Sequence, residues 1–371
     1  MTLALCSVTL ITASAQISFS WPHIAIDANS MFWWTDLQAN LLDSNDIAII
    51  QHRYYLGDPG FDRVSSVLIT PTVKRILNDD LITMADSVHF SILRAGDDVT
   101  SFVHTMEVSN DFGAYTVLDH PDLNGNPSAI FVYSHNYEPE TVYNDETTCA
   151  HYNGTHWTIR NEDGTDLPDQ SSYNVVIPPP SNKVFVHTSD AGNSPGYYSY
   201  IDHPDLNANP AARFFVRHNL NLSTSAHDVN VGAFYQPFIE KWAIFNEDFS
   251  TMDAGLAFNV MIPDSDGDSV ADHSDVCSGY DDNIDRDQNG TPDYCEDTGL
   301  RSCDYAKIIY QNHLPGEVLT YRADQSVTSD RVINSTAEIT FGADRVQLNP
   351  GFEVKAGAIF ETIYGCLSEA R

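Results

Sequence analysis

"DHPDLNGNPSAIFVYSHNY", residues 119–137, returns 83 residues later as "DHPDLNANPAARFFVRHNL", residues 202–220. In both copies a polar half rich in Asn, Asp and Pro runs into "AIFVY" or "RFFV". Asn-Gly and Asn-Pro pairs mark tight turns. The apolar runs that follow are short, aromatic and β-branched, as central strands covered on both faces require.

The likeness spreads outward from this stretch. "FVHT" at 102–105 returns at 185–188, and "WTIRNEDGTDLPDQSSYNVVI" at 157–177 returns as "WAIFNEDFSTMDAGLAFNVMI" at 242–262. A worn first copy precedes them. "DIAIIQHRY" (46–54) aligns His52 with His135 and His218, and "RILNDDLITMADSVHFSIL" (75–93) aligns Asn78 with Asn161 and Asn246. The pattern predicts about five strands per copy and no long helix. "IPPPSN", 177–182, joins copies two and three through a run unable to form helix or central strand. The expected fold is all-β. It consists of tandem sandwich- or barrel-like repeats, or copies sharing one pseudosymmetric sheet assembly, then an acidic linker and a small C-terminal β module. Repeats are expected at 16–95, 96–178 and 179–263, with the linker at 264–298 and the last module at 299–371.

The repeated polar residues have two readings. Asp119, His120 and His135, matched by Asp202, His203 and His218, form either a metal or sugar site in each copy or a set of turn caps bonded to backbone. Trp157 and Trp242 are either sugar platforms or core. The shared Asn-Glu-Asp closes the turn after the tryptophan strand. One catalytic-looking string, "GNSPG" at 192–196, is rejected as a nucleophile elbow. Its serine precedes Pro195, which has no N–H for an oxyanion hole, and a strand-like segment follows it.

The charge is lopsided: 52 acidic against 18 basic side chains, formally −34 over 371 residues. Phosphate binding needs a basic patch, so nucleic acid is excluded as a partner and cations become the natural counterpart. The acids crowd between 264 and 297, where twelve face Arg286 alone. Unit charges 4 Å apart repel by about 1 kcal/mol even in water. In the first loop Asp264, Asp266, Asp268, Asp272 and Asp275 stand at positions 1, 3, 5, 9 and 12, with the Val270 carbonyl at 7. In the second, Asp285, Asp287, Asn289, Asp293 and Glu296 repeat that register, with the Thr291 carbonyl at 7. This is the oxygen spacing of a calcium loop. Asp281 and Asp282 lie between the loops, placed to bridge ions.

These tandem loops with internal cysteines resemble thrombospondin type 3 calcium repeats, and calcium is the cofactor the resemblance implies. Ser269 stands where the first loop would carry glycine. The tail, with "ITFGADRVQLNPGFEVKAGAIFE" at 339–361, resembles the stacked β-coil modules called coathanger stacks. The repeats, with "DHPDLNGNP" and the Trp-x-Ile-x-Asn-Glu-Asp pattern, look like an uncharacterised family of secreted bacterial proteins.

"MTLALCSVTLITASAQ" ends in Ala13-Ser14-Ala15 and reads as a secretory signal over 1–15. No later stretch is long and apolar enough to span a membrane. Export makes disulfides available, and the expected pairs are Cys277–Cys295 and Cys303–Cys366, with Cys149 left over, either buried and inert or linking chains. The expected function is therefore an exported, calcium-binding, non-enzymatic surface, matrix or adhesion protein with a glycan or extracellular protein as ligand. The alternative is a glycan-binding or glycan-degrading protein using the repeated Asp, His and Trp residues.

Overall fold

The computed structural model describes residues 19–25, 32–37, 42–54, 60–96, 99–138, 140–264, 304–309, 318–329, 331–343 and 345–364, with 58, 268, 270–272, 274–277, 282, 283, 292 and 313. The chain divides into two compact units, residues 1–265 with 271–274, and 266–270 with 275–371. Among the described residues every regular element is a strand, and no helix is long and apolar enough to cross a membrane.

Among the described residues the first unit carries six strands per copy, one more than the apolar pattern predicts. Copy one has β1 (Phe19–Ile24), β2 (Trp34–Asp36), β3 (Ala48–Tyr54), β4 (Ser65–Ile69), β5 (Lys74–Asn78) and β6 (His89–Arg94). Copy two has β7 (Thr100–Thr105), β8 (Tyr115–Val117), β9 (Val132–Asn136), β10 (Thr148–Tyr152), β11 (Trp157–Asn161) and β12 (Ser172–Ile177). Copy three has β13 (Val184–Thr188), β14 (Tyr198–Tyr200), β15 (Phe215–His218), β16 (Val231–Gln236), β17 (Lys241–Asn246) and β18 (Ala257–Met261). The additional strand is the second of each copy. At three residues it is too short for alternation to register in the sequence.

Each copy folds as two three-stranded antiparallel sheets, one from its first, sixth and third strands and one from its second, fifth and fourth. Between the sheets lies a separate apolar core. Trp21, Ile50 and Phe90 fill copy one, Phe131, Trp157 and Tyr173 copy two, and Phe214, Trp242 and Phe258 copy three.

The copies are then joined cyclically by parallel contacts. The third strand of each meets the fourth strand of its predecessor: β9 on β4, and β3 on β16. Copies three and two complete the cycle through a parallel bridge between Asn219 and Ala150. The copies thus share one pseudo-threefold assembly. Its apolar centre is three equivalent cross-strand pairs, Ile49–Leu93, Val132–Val176 and Phe215–Met261, clustered together.

The second unit contains β19 (Asp304–Ile309), β20 (Val318–Ser329), β21 (Val332–Ile333), β22 (Glu338–Ala343), β23 (Arg345–Leu348), β24 (Glu353–Val354) and β25 (Ile359–Tyr364). Its pairings are all parallel, β19 and β22 both on β20 and β25 on β22. Parallel in-register stacking of short strands makes a coil. Alternate residues Ile339, Phe341 and Ala343 point into its core, where Phe341 meets Tyr321 and Phe360 edge-on at 5.8 and 5.1 Å.

Candidate functional site: the seams between copies

The shared Asn-acid-Asp triplet divides its labour. Its first residue closes the turn: the side-chain amides of Asn78, Asn161 and Asn246 bond the Ile82, Asp166 and Thr251 carbonyls. Its third caps the backbone two residues on, as Asp80, Asp163 and Asp248 accept from Ile82, Thr165 and Ser250 at 2.8–2.9 Å. The fourth position of each turn adopts a positive φ, at Leu81, Gly164 and Phe249 (59°, 79° and 60°). Only copy two supplies the glycine that this conformation favours.

The middle acid reaches into another copy. Asp79 of copy one meets His135 Nδ1 of copy two at 2.6 Å, and Glu247 of copy three meets His52 Nδ1 of copy one at 2.5 Å. Glu162 of copy two meets His218 Nδ1 of copy three. Each seam therefore holds a buried histidine–carboxylate pair whose members come from different copies. Burial pushes the Asp79 and Glu247 carboxyls above the usual range, while the facing histidine pulls each back down.

Beneath each acid sits a small residue, at equivalent positions of the fourth strands. Ser66 donates to Asp79, Cys149 lies against Glu162, and Gly232 lies under Glu247. A Cβ on Gly232 would stand 2.8 Å from Glu247 Oε1 and 2.4 Å from the Phe245 ring. Cys149, Glu162 and His218 bring ligand atoms within 4.8 Å of one another. Burial first, and then the Glu162 charge, hold the Cys149 thiol well above its ordinary pKa. The thiolate that metal binding requires is thus disfavoured.

Nearer the pseudo-threefold axis the equivalent residues are Gln51, Ser134 and Arg217. The Arg217 guanidinium is buried, which lowers its pKa to about 10. Its nitrogens reach the Tyr133, Val216 and Ile50 carbonyls, Gln51 Oε1 and Ser134 Oγ. All five donors are used, and none by a carboxylate. A cavity of about 120 Å³ runs past this arginine and touches His52, His135, His218, Glu162 and Glu247.

A second threefold set lies inside each copy, between first and second strands. His23, His104 and His187 contact the hydroxyls of Thr35, Thr116 and Ser199 through Nε2 at 3.0, 2.8 and 2.7 Å. In copies two and three the hydroxyl's proton goes on to Asn110 or Asn193. The histidine must therefore be the donor, and it is neutral. Burial holds all three at about 4. These histidines were not singled out in the sequence, although the repeated "FVHT" carries two of them.

The sequence-derived sites separate by role. His120 stacks on Phe102 and His203 on Phe185, at 4.8 and 5.0 Å with planes 3° apart. Asp119 and Asp202 each accept from an asparagine five residues on, Asn124 or Asn207, at 2.7 Å. His135 and His218 sit instead in the seams, so the expected grouping of Asp119 and His120 with His135, or Asp202 and His203 with His218, does not form a common site. The turn-capping reading fits these contacts. Trp157 and Trp242 are at most 1% exposed and donate to the Asn126 and Asn209 carbonyls at 2.8 Å. They are core residues, not platforms, because the strand alternation that repeats them turns them inward.

Of the residues expected to bind calcium, Asp264 faces the buried Lys183 ammonium at 3.7 Å, and Asp272 accepts from Ser20. In the second unit Asp268 accepts the Val270 and Asp282 N–H groups at 2.6 Å, and Asp282 accepts from Val276 at 2.8 Å. Asp275 Oδ1 is buried. Asp282 Oδ1 is buried without a hydrogen-bond partner, which fits a cation-binding oxygen. Cys277 is buried and disulfide-bonded. Asp266, Asp281, Asp285, Asp287, Asn289, Thr291, Asp293, Glu296, Cys295, Cys303, Cys366 and the segment 1–15 lie outside the described residues.

A family model described as "Domain of unknown function (DUF7452)" matches residues 70–177 and again 151–262. Each match starts in the later strands of one copy and runs through the next, so each encloses one acid–histidine pair, Asp79–His135 or Glu162–His218. No curated protein and no solved structure matches.

Proposed function

The chain belongs to that family, whose description names no activity, and from the geometry we propose that it is an exported, calcium-binding scaffold of a cell surface or matrix. One observation carries this reading. The polar residues that recur in all three copies are spent on holding the assembly together, in seams between copies or turns within them. In two of the three seams the histidine's Nε2 meets no hydrogen-bonding group, so the repeated pair itself serves the architecture.

Calcium fits the acidic segment through the loop spacing and the buried Asp282 oxygen. The oxygens of Asp268 and Asp282, with those of the two loop registers, would hold the ion and relieve carboxylate repulsion. Isothermal titration of the full chain tests this. Millimolar calcium should be taken up and raise the melting temperature, and a chelator should reverse both. Absence of uptake at millimolar calcium would overturn the calcium assignment.

A second reading, glycan binding, is favoured by one surface feature. In copy three a cleft of about 570 Å³ is lined by Phe185, Tyr200 and Ile239 beside the Asp202–Lys241 ion pair. Apolar rings flanked by a few polar groups suit a sugar face. Glycan-array binding that survives in wild type and vanishes in Tyr200→Ala would establish it.

A further inference from the structure

The three seams share a histidine and an acid, but among the described residues only one places a hydroxyl at the histidine's Nε2. His218 Nε2 lies 2.7 Å from Ser223 Oγ, while its Nδ1 faces Glu162. The positions equivalent to Ser223 are Gly57 and Glu140. His52 Nε2 and His135 Nε2 are buried without a hydrogen-bond partner. The histidine–acid pair is thus common architecture, and Ser223 is a local addition to it. From this we infer that Ser223, His218 and Glu162 form a nucleophile, general base and orienting acid for acyl transfer from small neutral esters.

The proton inventory supports these roles. Glu162 accepts the His227 N–H at 3.0 Å through Oε2, leaving Oε1 to face His218. A carboxylate offers only acceptors, so the imidazole carries its proton on Nδ1 and presents a lone pair at Nε2. The Ser223 hydroxyl has one proton and three acceptors in reach: that lone pair, the Ala257 carbonyl at 3.5 Å and, nearer, the Asn219 carbonyl at 2.9 Å. The Asn219 carbonyl already receives the backbone N–H groups of Leu222 and Ser223, so it loses little when the hydroxyl turns to histidine. The Ala257 N–H donates to Oγ at 2.7 Å and would stabilise charge developing there.

Access and specificity follow from the surroundings. Ser223 is half-buried, in a turn whose neighbours Leu222, Thr224 and Ser225 are exposed, and His218 and Glu162 are under a tenth exposed. Asp228 and Asp253 are exposed nearby in sequence or fold, and the chain's net charge of −34 disfavours anionic substrates. The Ser223 and Thr224 N–H groups are engaged by the Asn219 and Gly255 carbonyls. An oxyanion would therefore draw on the exposed Ser225–Ala226 segment, which makes for slow turnover.

In the reaction Ser223 Oγ bonds to the ester carbonyl carbon as its proton passes to His218 Nε2. That proton then moves to the departing alkoxide as the ester C–O bond breaks. Water repeats the sequence on the acyl-serine, releasing the carboxylic acid and restoring the hydroxyl.

The test uses a neutral fluorophosphonate probe on the full chain, with adducts at Ser223 and Ser225 quantified in the same molecules by peptide mass spectrometry. General-base assistance contributes about 100-fold or more, so Ser223 should react about 100-fold faster than Ser225. A ratio below tenfold overturns the inference, and a larger one sustains it. The ratio should collapse in Glu162→Gln. If that variant melts well below wild type, the wild-type ratio alone decides. Hydrolysis of p-nitrophenyl acetate should disappear in Ser223→Ala, and hydrolysis that persists unchanged in a folded Ser223→Ala protein would also overturn it.

Discussion

Acidification should unfold the first unit through three histidines that do not touch the seams. His23, His104 and His187 are each held at about 4 by burial, against about 6.5 in an unfolded chain. Above pH 6.5 neither state binds the proton and their contribution is complete. Below it the unfolded chain takes up a proton that the folded chain refuses, so stability falls until the folded value is reached. One pKa unit is about 1.4 kcal/mol, so each histidine removes roughly 3 kcal/mol between pH 6.5 and 4, and the three together about 10. That matches the whole stability of a typical domain. The raised carboxyls of Asp79 and Glu247 work in the opposite direction, so a difference between wild type and a variant is the cleaner quantity. His187→Gln keeps an N–H for Ser199 but cannot titrate. In urea titrations from pH 7.5 to 5, the two proteins should keep a constant offset above pH 6.5, and below it the wild-type unfolding free energy should fall more steeply than the variant's by up to about 1.4 kcal/mol per pH unit. Parallel pH profiles for the two proteins would refute the reasoning.

Arg217→Met should destabilise the unit by about 3–5 kcal/mol, because it removes a buried guanidinium that makes five hydrogen bonds; denaturant midpoints measure the loss. Cys149→Ser should cost under about 1.5 kcal/mol, since Ser66 already fills the equivalent position beneath Asp79. Gly232→Ser should instead lower the urea midpoint sharply, its Cβ colliding with Phe245 and Glu247. Trp242→Phe should cost about 2–4 kcal/mol through a cavity and the lost hydrogen bond to the Asn209 carbonyl, seen as a lower melting temperature.

The repeat made much of this molecule legible. Tryptophan strands, Asn-acid-Asp turns and the Asp-His-Pro loops all act within one copy, so a local pattern reveals them. What the sequence concealed depends on closure. His135 and Asp79 are 56 residues apart, and nothing between them announces that the third strand of one copy will settle beside the fourth strand of another. Residue identity also misled, because His120 and His135 belong to the same motif yet serve a turn and a seam. Ser66, Cys149 and Gly232 share a position but no chemistry, so no motif marks them. Arg217 stands where its counterparts are Gln51 and Ser134, and only their shared place at the axis relates them.

Borrowing an acid from one neighbour and a histidine from the other sets a rule for how such a chain can change length. Deleting any copy strands an acid on one side of the gap and a histidine on the other, and inserting a fourth must reopen a junction already satisfied. Evolution can therefore add or discard this architecture in complete rounds, but has little room to trim it by thirds.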